Sequence, residues 1–324
     1  MKKLVSLDTS PTQFKLGVCA SQYAPMMCWC TKEEETHQED KHDEAGHQRF
    51  HLVKKTRLLA HTTAATRCRF FPDSQNIVTT HQHNGEVKLW SAPTRAHTLR
   101  GHTNTVTDVD FVDDGNNIIT ASLDGLIKYW DCTEGKELAS INTKSLTGKI
   151  TSVKALTASP YVKDSKMFMF IDTRSHRIKI YSLETVMPVY NKDFDILGFG
   201  QPVCCEQISE NSVLCGMDTG YLFRLDLRMK SIVDTSGSKI REMKYATKYG
   251  PRVPTCPLLL HRAHGGFFTA FNNGYVTFRR EVTAAPDVWL KGSPDPVIDL
   301  ATDGYFLYSC SLDNFVRKYA IQRC

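Results

Sequence analysis

Residues 101–131 have the sequence GHTNTVTDVDFVDDGNNIITASLDGLIKYWD, and this stretch decides the fold. It contains three short runs rich in β-branched and aromatic residues, which are Val106–Phe111, Ile118–Ser122 and Leu126–Trp130. Polar residues separate these runs, and short runs bounded by Gly, Asn and Asp predict β-strands. We therefore expect an antiparallel sheet of short strands in this part of the chain.

The same pattern occurs immediately upstream. Thr62–Trp90 aligns with His102–Trp130 at an offset of 40 residues. The alignment pairs Phe71 with Phe111, Asp73 with Asp113, Asn76 with Asn116, Thr80 with Thr120, Gly85 with Gly125, Lys88 with Lys128, and Trp90 with Trp130. A period of about 40–45 residues, with Gly-His before the strands and Trp-Asp after them, is the signature of a WD40 propeller blade.

Weaker copies of the unit occur along the rest of the chain. Their turns are Asp172–His176, Asp218–Gly220, Asn272–Gly274 and Ser311–Asp313, and each precedes a strand-like run. A first unit contains Trp29, which brings the count to seven units. The sequence therefore predicts an all-β fold, a seven-bladed WD40 β-propeller that occupies residues 1–324 as a single domain.

The first unit is longer than the others. Trp29 precedes Trp90 by 61 residues, and removing Thr31–Arg49 brings the spacing to about 42, close to one blade. Residues 32–49 contain seven acidic and three basic residues. We therefore expect an acidic loop at 31–49, inserted between the third and fourth strands of the first blade.

The composition excludes several classes of protein. The chain is 41% hydrophobic and 23% charged, which is typical of a soluble globular protein. Apolar runs such as Met167–Ile171 are far shorter than the roughly 20 residues that cross a membrane. The net charge of +5 does not by itself predict a nucleic-acid partner. The 11 scattered cysteines predict a reducing compartment, so we expect the protein in the cytoplasm or the nucleus. We also expect a monomer, with no membrane and no nucleic acid among its partners.

Four residues of the best-preserved unit predict a structural role. His102, Ser122, Asp124 and Trp130 stand where WD40 repeats place a hydrogen-bonded tetrad that ties a loop to a strand. A catalytic triad of Ser122, His102 and Asp124 is the alternative. We expect the Trp130 indole to take up the remaining hydrogen-bonding partner of His102, which argues against the triad. In addition, no oxyanion-hole motif accompanies the three residues.

The sequence contains no strong catalytic or cofactor motif. It has no Gly-rich phosphate loop, no Gly-x-Ser-x-Gly elbow and no His-Glu-x-x-His motif. We therefore predict a protein that is not an enzyme and that binds no cofactor or metal. His37, His42 and His47 leave a metal site or a basic partner open as alternatives to a solvated acidic loop. The cysteines of Cys28–Cys30 and Cys204–Cys205 lack zinc-site spacing and are predicted to be buried thiols.

Protein recognition is the leading function because propellers present loops to partners. His83, Leu123, Met217 and Leu312 lie in or beside the turns between second and third strands, and we predict that they form the partner surface. Arg228 gives a different prediction. Leu225–Arg228 resembles the Asp-x-Arg ending of propellers that serve as substrate receptors of cullin-type ubiquitin ligases. A ligase receptor and a hydrolase with an unrecognised site are therefore the two alternative functions.

Several stretches together resemble one WD40 family, the proteasomal ATPase-associated factors. These stretches are Arg67–Pro72, Val87–Ala92, Gly101–Thr103, Val106–Val109, Asn117–Gly125, Trp130–Cys132, Leu225–Arg228, Asp295–Val297, Tyr308–Cys310 and Val316–Tyr319. The resemblance implies a chaperone of proteasome regulatory-particle assembly. Its propeller would bind the C-terminal domain of one proteasomal ATPase subunit of the regulatory-particle base.

The two ends of the chain suggest how the first and last blades meet. Lys3–Ser6 is predicted to be the innermost strand of the first blade, and Phe315–Ile321 the third strand of the last blade. The chain has no terminal residues left for a fourth strand there. We therefore expect a three-stranded last blade, joined to the first mainly by side-chain packing.

Overall fold

The structure is a computed structural model. It describes residues 4–320 apart from 10–14, 21–25, 32–40, 43–47, 50–55, 59–64, 74–75, 92–93, 144–149, 157–165, 173–176, 190–198, 230, 237–256, 264, 292, 303–305 and 314. The predicted histidines His37 and His47 lie outside the described residues. The chain packs as two compact units, residues 1–142 with 298–324 and residues 143–297.

The described residues of the first unit form four antiparallel sheets. The first sheet has β1 (Leu4–Thr9), β2 (Lys15–Ala20), β3 (Met26–Thr31) and β6 (Thr56–Leu58); the second has β7 (Ala65–Phe70), β8 (Asn76–His81), β9 (Val87–Ser91) and β10 (Thr94–Leu99); the third has β11 (Val106–Val112), β12 (Asn117–Ser122), β13 (Leu126–Asp131) and β14 (Lys136–Asn142). The last sheet has the order β26 (Val297–Thr302), β27 (Phe306–Ser311), β28 (Val316–Ala320), β5 (Gln48–Arg49) and β4 (Lys41–His42). A 3-10 turn, Asp113–Gly115, connects β11 to β12.

The second unit contains three antiparallel sheets among its described residues. The fourth sheet of the chain has β15 (Ile150–Leu156), β16 (Met167–Asp172) and β17 (Arg177–Ser182); the fifth has β18 (Pro202–Ser209), β19 (Ser212–Met217), β20 (Leu222–Asp226) and β21 (Ser231–Ser236); the sixth has β22 (Pro257–Ala263), β23 (Gly266–Phe271), β24 (Tyr275–Arg279) and β25 (Val288–Lys291). The repeated antiparallel four-stranded sheets confirm the all-β fold class of a WD40 propeller. The seven-bladed ring and the single domain stay predictions.

Apolar clusters lie between neighbouring sheets in each unit. In the first unit, Val78 and Leu89 of the second sheet pack with Val109, Ile118 and Trp130 of the third. In the second unit, one such cluster combines residues of the fourth and fifth sheets, including Met169, Ile178, Val213, Phe223 and Leu225. Burying each such side chain stabilises the fold by about 1.5–3 kcal/mol. The sheets therefore pack face to face, as the blades of a propeller do.

The prediction of a three-stranded last blade is wrong. β5 lies beside β28, with Arg49 directly opposite Arg317, and β4 pairs with β5. The added strands come from the connection between β3 and β6, inside the segment predicted to be an acidic loop. That connection can reach the outer edge of the last sheet and satisfy main-chain groups there, so no terminal strand is required.

The repeat offset of 40 residues is correct only for the third strands. Ile77 pairs with Trp90 as Ile118 pairs with Trp130, so the second strands correspond at an offset of 41. The offset falls from 41 to 40 because the turn after β8 is longer than the turn after β12. Thr79, and not Thr80, is therefore the counterpart of Thr120.

Candidate functional site

A buried ionic network joins the first strands of three sheets. Asp299 in β26 accepts the Ser6 hydroxyl at 2.7 Å and the Leu7 N–H at 2.9 Å, and its carboxylate lies 3.1 Å from Arg69 Nη1 in β7. Arg67 Nη1 lies 3.9 Å from the same carboxylate. These contacts align the first, second and last sheets, so corresponding turns of the three sheets lie at the same end.

The charges of this network control the protonation of Asp299. Burial alone would raise the pKa of Asp299, but the attraction of Arg69 and Arg67 and hydrogen bonds from Leu7 and Ser6 lower that pKa to about 2. Arg67 also reaches the third sheet, since its Nε atom lies 3.4 Å from Asp108 Oδ1 in β11. Sequence analysis did not predict this network, because isolated charged residues in a strand are usually assigned to its exposed face.

A second network ties a loop to the strands of the third sheet. His102 Nε2 lies 2.8 Å from Thr120 Oγ1, and His102 Nδ1 lies 3.0 Å from Asp124 Oδ2. The Trp130 indole N–H donates to the same Thr120 hydroxyl at 2.9 Å. His102, Thr120 and Trp130 are all buried. The network satisfies these polar groups and fixes the loop before β11.

The hydroxyl of this network belongs to Thr120, so the prediction of Ser122 is wrong in that detail. Trp130 pairs with Ile118, and its indole reaches the residue two positions further along β12. Ser122 instead donates to the Asn104 carbonyl at 3.2 Å and accepts the Asp124 N–H at 3.1 Å. Because His102 Nε2 is bonded to Thr120, the arrangement is not that of a Ser122–His102–Asp124 triad.

Asp124 anchors both the turn after β12 and the loop before β11. Its carboxylate accepts the Thr103 N–H at 2.9 Å and the Leu126 N–H at 2.8 Å. Burial tends to raise the pKa of Asp124, but the hydrogen bonds from His102, Thr103 and Leu126 together hold that pKa below its usual value. The ionised carboxylate is therefore the form that holds the two segments together.

The second sheet repeats the indole contact but changes the turn. The Trp90 indole N–H donates to Thr79 Oγ1 at 2.9 Å. At the position of Ser122, this sheet has His81, whose Nδ1 atom accepts the N–H groups of His83 and Asn84, both at 3.1 Å. An imidazole therefore replaces a hydroxyl as the acceptor that shapes the turn.

The turns and loops at this end of the second and third sheets are packed together. Gly85 has φ +67°, and a Cβ atom there would lie 2.3 Å from the His102 carbonyl oxygen, so only glycine fits. The Thr105 hydroxyl donates to the Gln82 carbonyl. We use the term turn face for the turn Gln82–Glu86, the loop Arg100–Thr105 and the turns Leu123–Gly125 and Leu312–Asp313.

The residues predicted to form the partner surface differ in their exposure to solvent. His83 is exposed and Leu123 is half-buried, both on the turn face. Leu312 is 44% exposed at the same end of the last sheet. Met217 is fully buried and packs in the cluster that contains Phe223, so its prediction as an exposed partner residue is wrong. It is the last residue of β19, where strand alternation directs its side chain into the core.

Arg228 lies in the turn after β20, in the second unit. Its side chain is 47% exposed, and its Nη2 and Nε atoms donate to the two Asp226 carboxylate oxygens at 2.7 and 3.2 Å. The hydrogen bond from Arg228 lowers the pKa of Asp226 to about 2. The guanidinium is accessible, but part of its hydrogen-bonding capacity is used within the turn.

In the last sheet, different residues stabilise the turn between the second and third strands. Asp313 occupies the place of Asp124, and Arg317 donates to it from Nη2 at 2.6 Å. Arg317 is 3% exposed, and its Nη1 atom also donates to Ser311 Oγ at 3.3 Å. The sequence analysis recognised the Ser311–Asp313 turn but missed the arginine. A basic residue four positions after the turn aspartate was the available signal.

The described residues offer no cluster of three or more His, Cys, Asp or Glu side chains that could hold a metal ion. None of their helices is long and apolar enough to cross a membrane.

Comparison with known proteins identifies the repeats. The profile of the family "WD domain, G-beta repeat" matches residues 53–91 and 93–131. The U3 small nucleolar RNA-associated protein 21 homolog of Schizosaccharomyces pombe is 45% identical over 53 residues, 16% of this chain and 6% of that protein. Apoptotic protease-activating factor 1 of Homo sapiens is 32% identical over 133 residues, 38% of this chain and 10% of that protein.

A plant relative gives a match of similar quality. Small ribosomal subunit protein RACK1z of Arabidopsis thaliana is 31% identical over 99 residues, which cover 31% of this chain and 27% of that protein. The matched segments thus span between about a twentieth and a quarter of these three relatives. None of the three is named as a proteasome assembly chaperone, so the resemblance to that family stays a prediction. Residues 53–131 therefore contain two WD repeats, and the antiparallel sheets have the all-β fold class of a WD40 propeller.

Proposed function

We propose that this protein is a non-enzymatic scaffold that binds another protein through the turn face. The observation that carries the proposal is that the turns and the loop of this face are held to one another by contacts within the fold. Asp124, Thr105 and Gly85 connect its turns to its loop by hydrogen bonds and close backbone contact. The backbone of such a surface loses little conformational freedom when a partner binds.

The chemistry of the turn face suits protein recognition. Its exposed side chains include the imidazole of His83 and the amides of Asn84 and Asn104, and the apolar Leu312 is exposed on the last sheet. Arg100, whose side chain is 76% exposed, lies 3.0 Å from Glu86. Protein interfaces likewise combine polar and apolar side chains.

We propose the C-terminal domain of a proteasomal ATPase subunit, from the regulatory-particle base, as the partner. The support is the resemblance of the sequence stretches described above to the proteasomal ATPase-associated factors. Two of these stretches, Gly101–Thr103 and Asn117–Gly125, include residues of the turn face. The resemblance thus falls partly on the surface that we propose for binding.

Titration calorimetry with purified proteins tests this partner. The full chain would be titrated with the C-terminal domain of each proteasomal ATPase subunit, and a cullin adaptor would be titrated in parallel. We expect one ATPase domain to bind, and Leu312→Ser to weaken that binding. Failure of all ATPase domains to bind the folded protein would contradict the proposed partner.

Arg228 supports a second candidate, a substrate receptor of a cullin-type ligase. It is half-exposed, and the neighbouring Met229 is 69% exposed. An exposed arginine beside an apolar side chain suits an adaptor contact. Adaptor binding that is lost in Arg228→Ala and kept in Arg100→Ala would favour this candidate over the ATPase partner.

A further inference from the structure

His81 is a buried acceptor at the base of the turn Gln82–Glu86. It is 2% exposed, and its Nδ1 atom accepts the N–H groups of His83 and Asn84. A nitrogen can accept these bonds only when it carries no proton. The closed turn therefore requires neutral His81 with its proton on Nε2.

The third sheet shows that this requirement is not general. There the equivalent acceptor is the hydroxyl of Ser122, which receives the Asp124 N–H at 3.1 Å. A hydroxyl does not change charge between pH 5 and 8, whereas histidine does. The two neighbouring turns thus have similar hydrogen bonding but different sensitivity to acid.

The groups around His81 act in both directions on its protonation. Burial, followed by the charges of Lys88 and His83, lowers the pKa of His81, while Glu86 opposes this change. Glu86 itself lies 3.6 Å from Lys88 Nζ and 3.0 Å from Arg100 Nη2. On the adjoining loop, the His102 ring is already bonded to Asp124 and Thr120. The net result is a folded state that favours neutral His81.

We infer that His81 is a proton-sensitive latch that opens the turn Gln82–Glu86 in mildly acidic solution. The inference concerns the turn itself and does not depend on the identity of any partner. A proton on Nδ1 removes the acceptor of the His83 and Asn84 N–H groups. The protonated nitrogen becomes a donor, and the Asn84 side chain is its available acceptor.

This change would spread through the turn. Asn84 Oδ1 now accepts the Glu86 N–H at 3.0 Å, so a new bond to His81 competes with that contact. Gly85 and Gln82 touch the loop Arg100–Thr105 through the His102 carbonyl and the Thr105 hydroxyl. Opening the turn therefore alters the side of the turn face that faces this loop.

Amide hydrogen exchange of the full chain between pH 7.5 and 5 tests the latch directly. After correction for intrinsic rates, protection at His83 and Asn84 should fall as the pH drops below about 6.5, by up to about tenfold per pH unit. The Asp124 amide, held by Ser122, should keep its protection over the same range. Unchanged protection at His83 and Asn84 would overturn the inference.

Two variants separate the latch from general acid sensitivity. His81→Ser installs the acceptor of the neighbouring repeat, and His83→Ser removes the exposed histidine as a control. We expect His81→Ser to abolish the pH dependence and His83→Ser to retain it. Equal pH dependence in His81→Ser and the unaltered protein would overturn the inference. Should His81→Ser fail to fold, the side-chain titration of His81 in the unaltered protein decides, because a midpoint at or above 6.5 contradicts the latch.

Discussion

Arg69 Nη1 lies 3.1 Å from the Asp299 carboxylate and thereby links the second sheet to the last one. Asp299 also receives the Ser6 hydroxyl and the Leu7 N–H from the first sheet. One carboxylate thus connects three sheets whose strands come from both ends of the chain. The first and last sheets are joined by this polar contact and by the packing of Leu7 against Tyr308 and Cys310.

Asp299→Ala should be strongly destabilising. The substitution leaves Arg69 without its buried partner and two donors without their acceptor, and breaking a buried pair in this way costs about 3–5 kcal/mol. Denaturant unfolding measures the change. Glu134→Ala is the matched control, because its ion pair with Lys136 is exposed and is worth at most about 1 kcal/mol. Equal effects of the two variants would contradict the proposed importance of the network.

The same carboxylate makes stability depend on acid pH. The folded pKa of Asp299, about 2, is below the unfolded value of about 3.9. Its contribution is therefore complete above about pH 4 and is lost as the pH falls towards 2. Unfolding free energies measured from pH 5 to pH 2 should decline less steeply in Asp299→Asn than in the unaltered protein. Parallel declines in the two proteins would show that other groups control acid stability.

Thr120→Ala should destabilise the third sheet more than Ser122→Ala. The first change leaves His102 and the Trp130 indole without a shared buried partner, at a cost of about 1–3 kcal/mol for each unsatisfied group. The second change removes only turn contacts. Thermal unfolding of the two variants gives the comparison, and Thr120→Ser should restore most of the loss. A larger effect for Ser122→Ala would return the central role to Ser122.

Arg317→Met should destabilise the last sheet. Arg317 is nearly fully buried against Asp313 and Ser311, so methionine keeps much of the packing but leaves the Asp313 carboxylate without its cation. Exchange of amides in β27 and β28 should become faster. Lys318→Met is the neighbouring control, because Lys318 Nζ lies 4.0 Å from the centre of the Phe306 ring, whereas Arg317 supplies the cation that faces Asp313. A greater loss of protection in Lys318→Met would contradict this assignment.

The repeated elements could be predicted from the sequence because short alternating strands and their turns are local features. Trp130, Asp124 and His102 were therefore assigned correctly to one structural network. Local patterns could not distinguish Thr120 from Ser122, since the choice depends on how the Trp130 indole crosses to the adjacent strand. Local patterns could not predict the long-range contacts either. The Asp299 network and the pairing of β5 with β28 join residues that are far apart in the chain.

The measurement that tests the central claim most directly is the affinity of the proteasomal ATPase C-terminal domain for two matched variants. Leu312→Ser alters a 44% exposed leucine on the turn face, whereas Leu138→Ser alters a 51% exposed leucine on β14, away from that face. We predict that Leu312→Ser raises Kd about tenfold or more, which corresponds to about 1.4 kcal/mol, and that Leu138→Ser leaves Kd unchanged. Unchanged affinity in folded Leu312→Ser, or equal weakening in both variants, would contradict binding through the turn face.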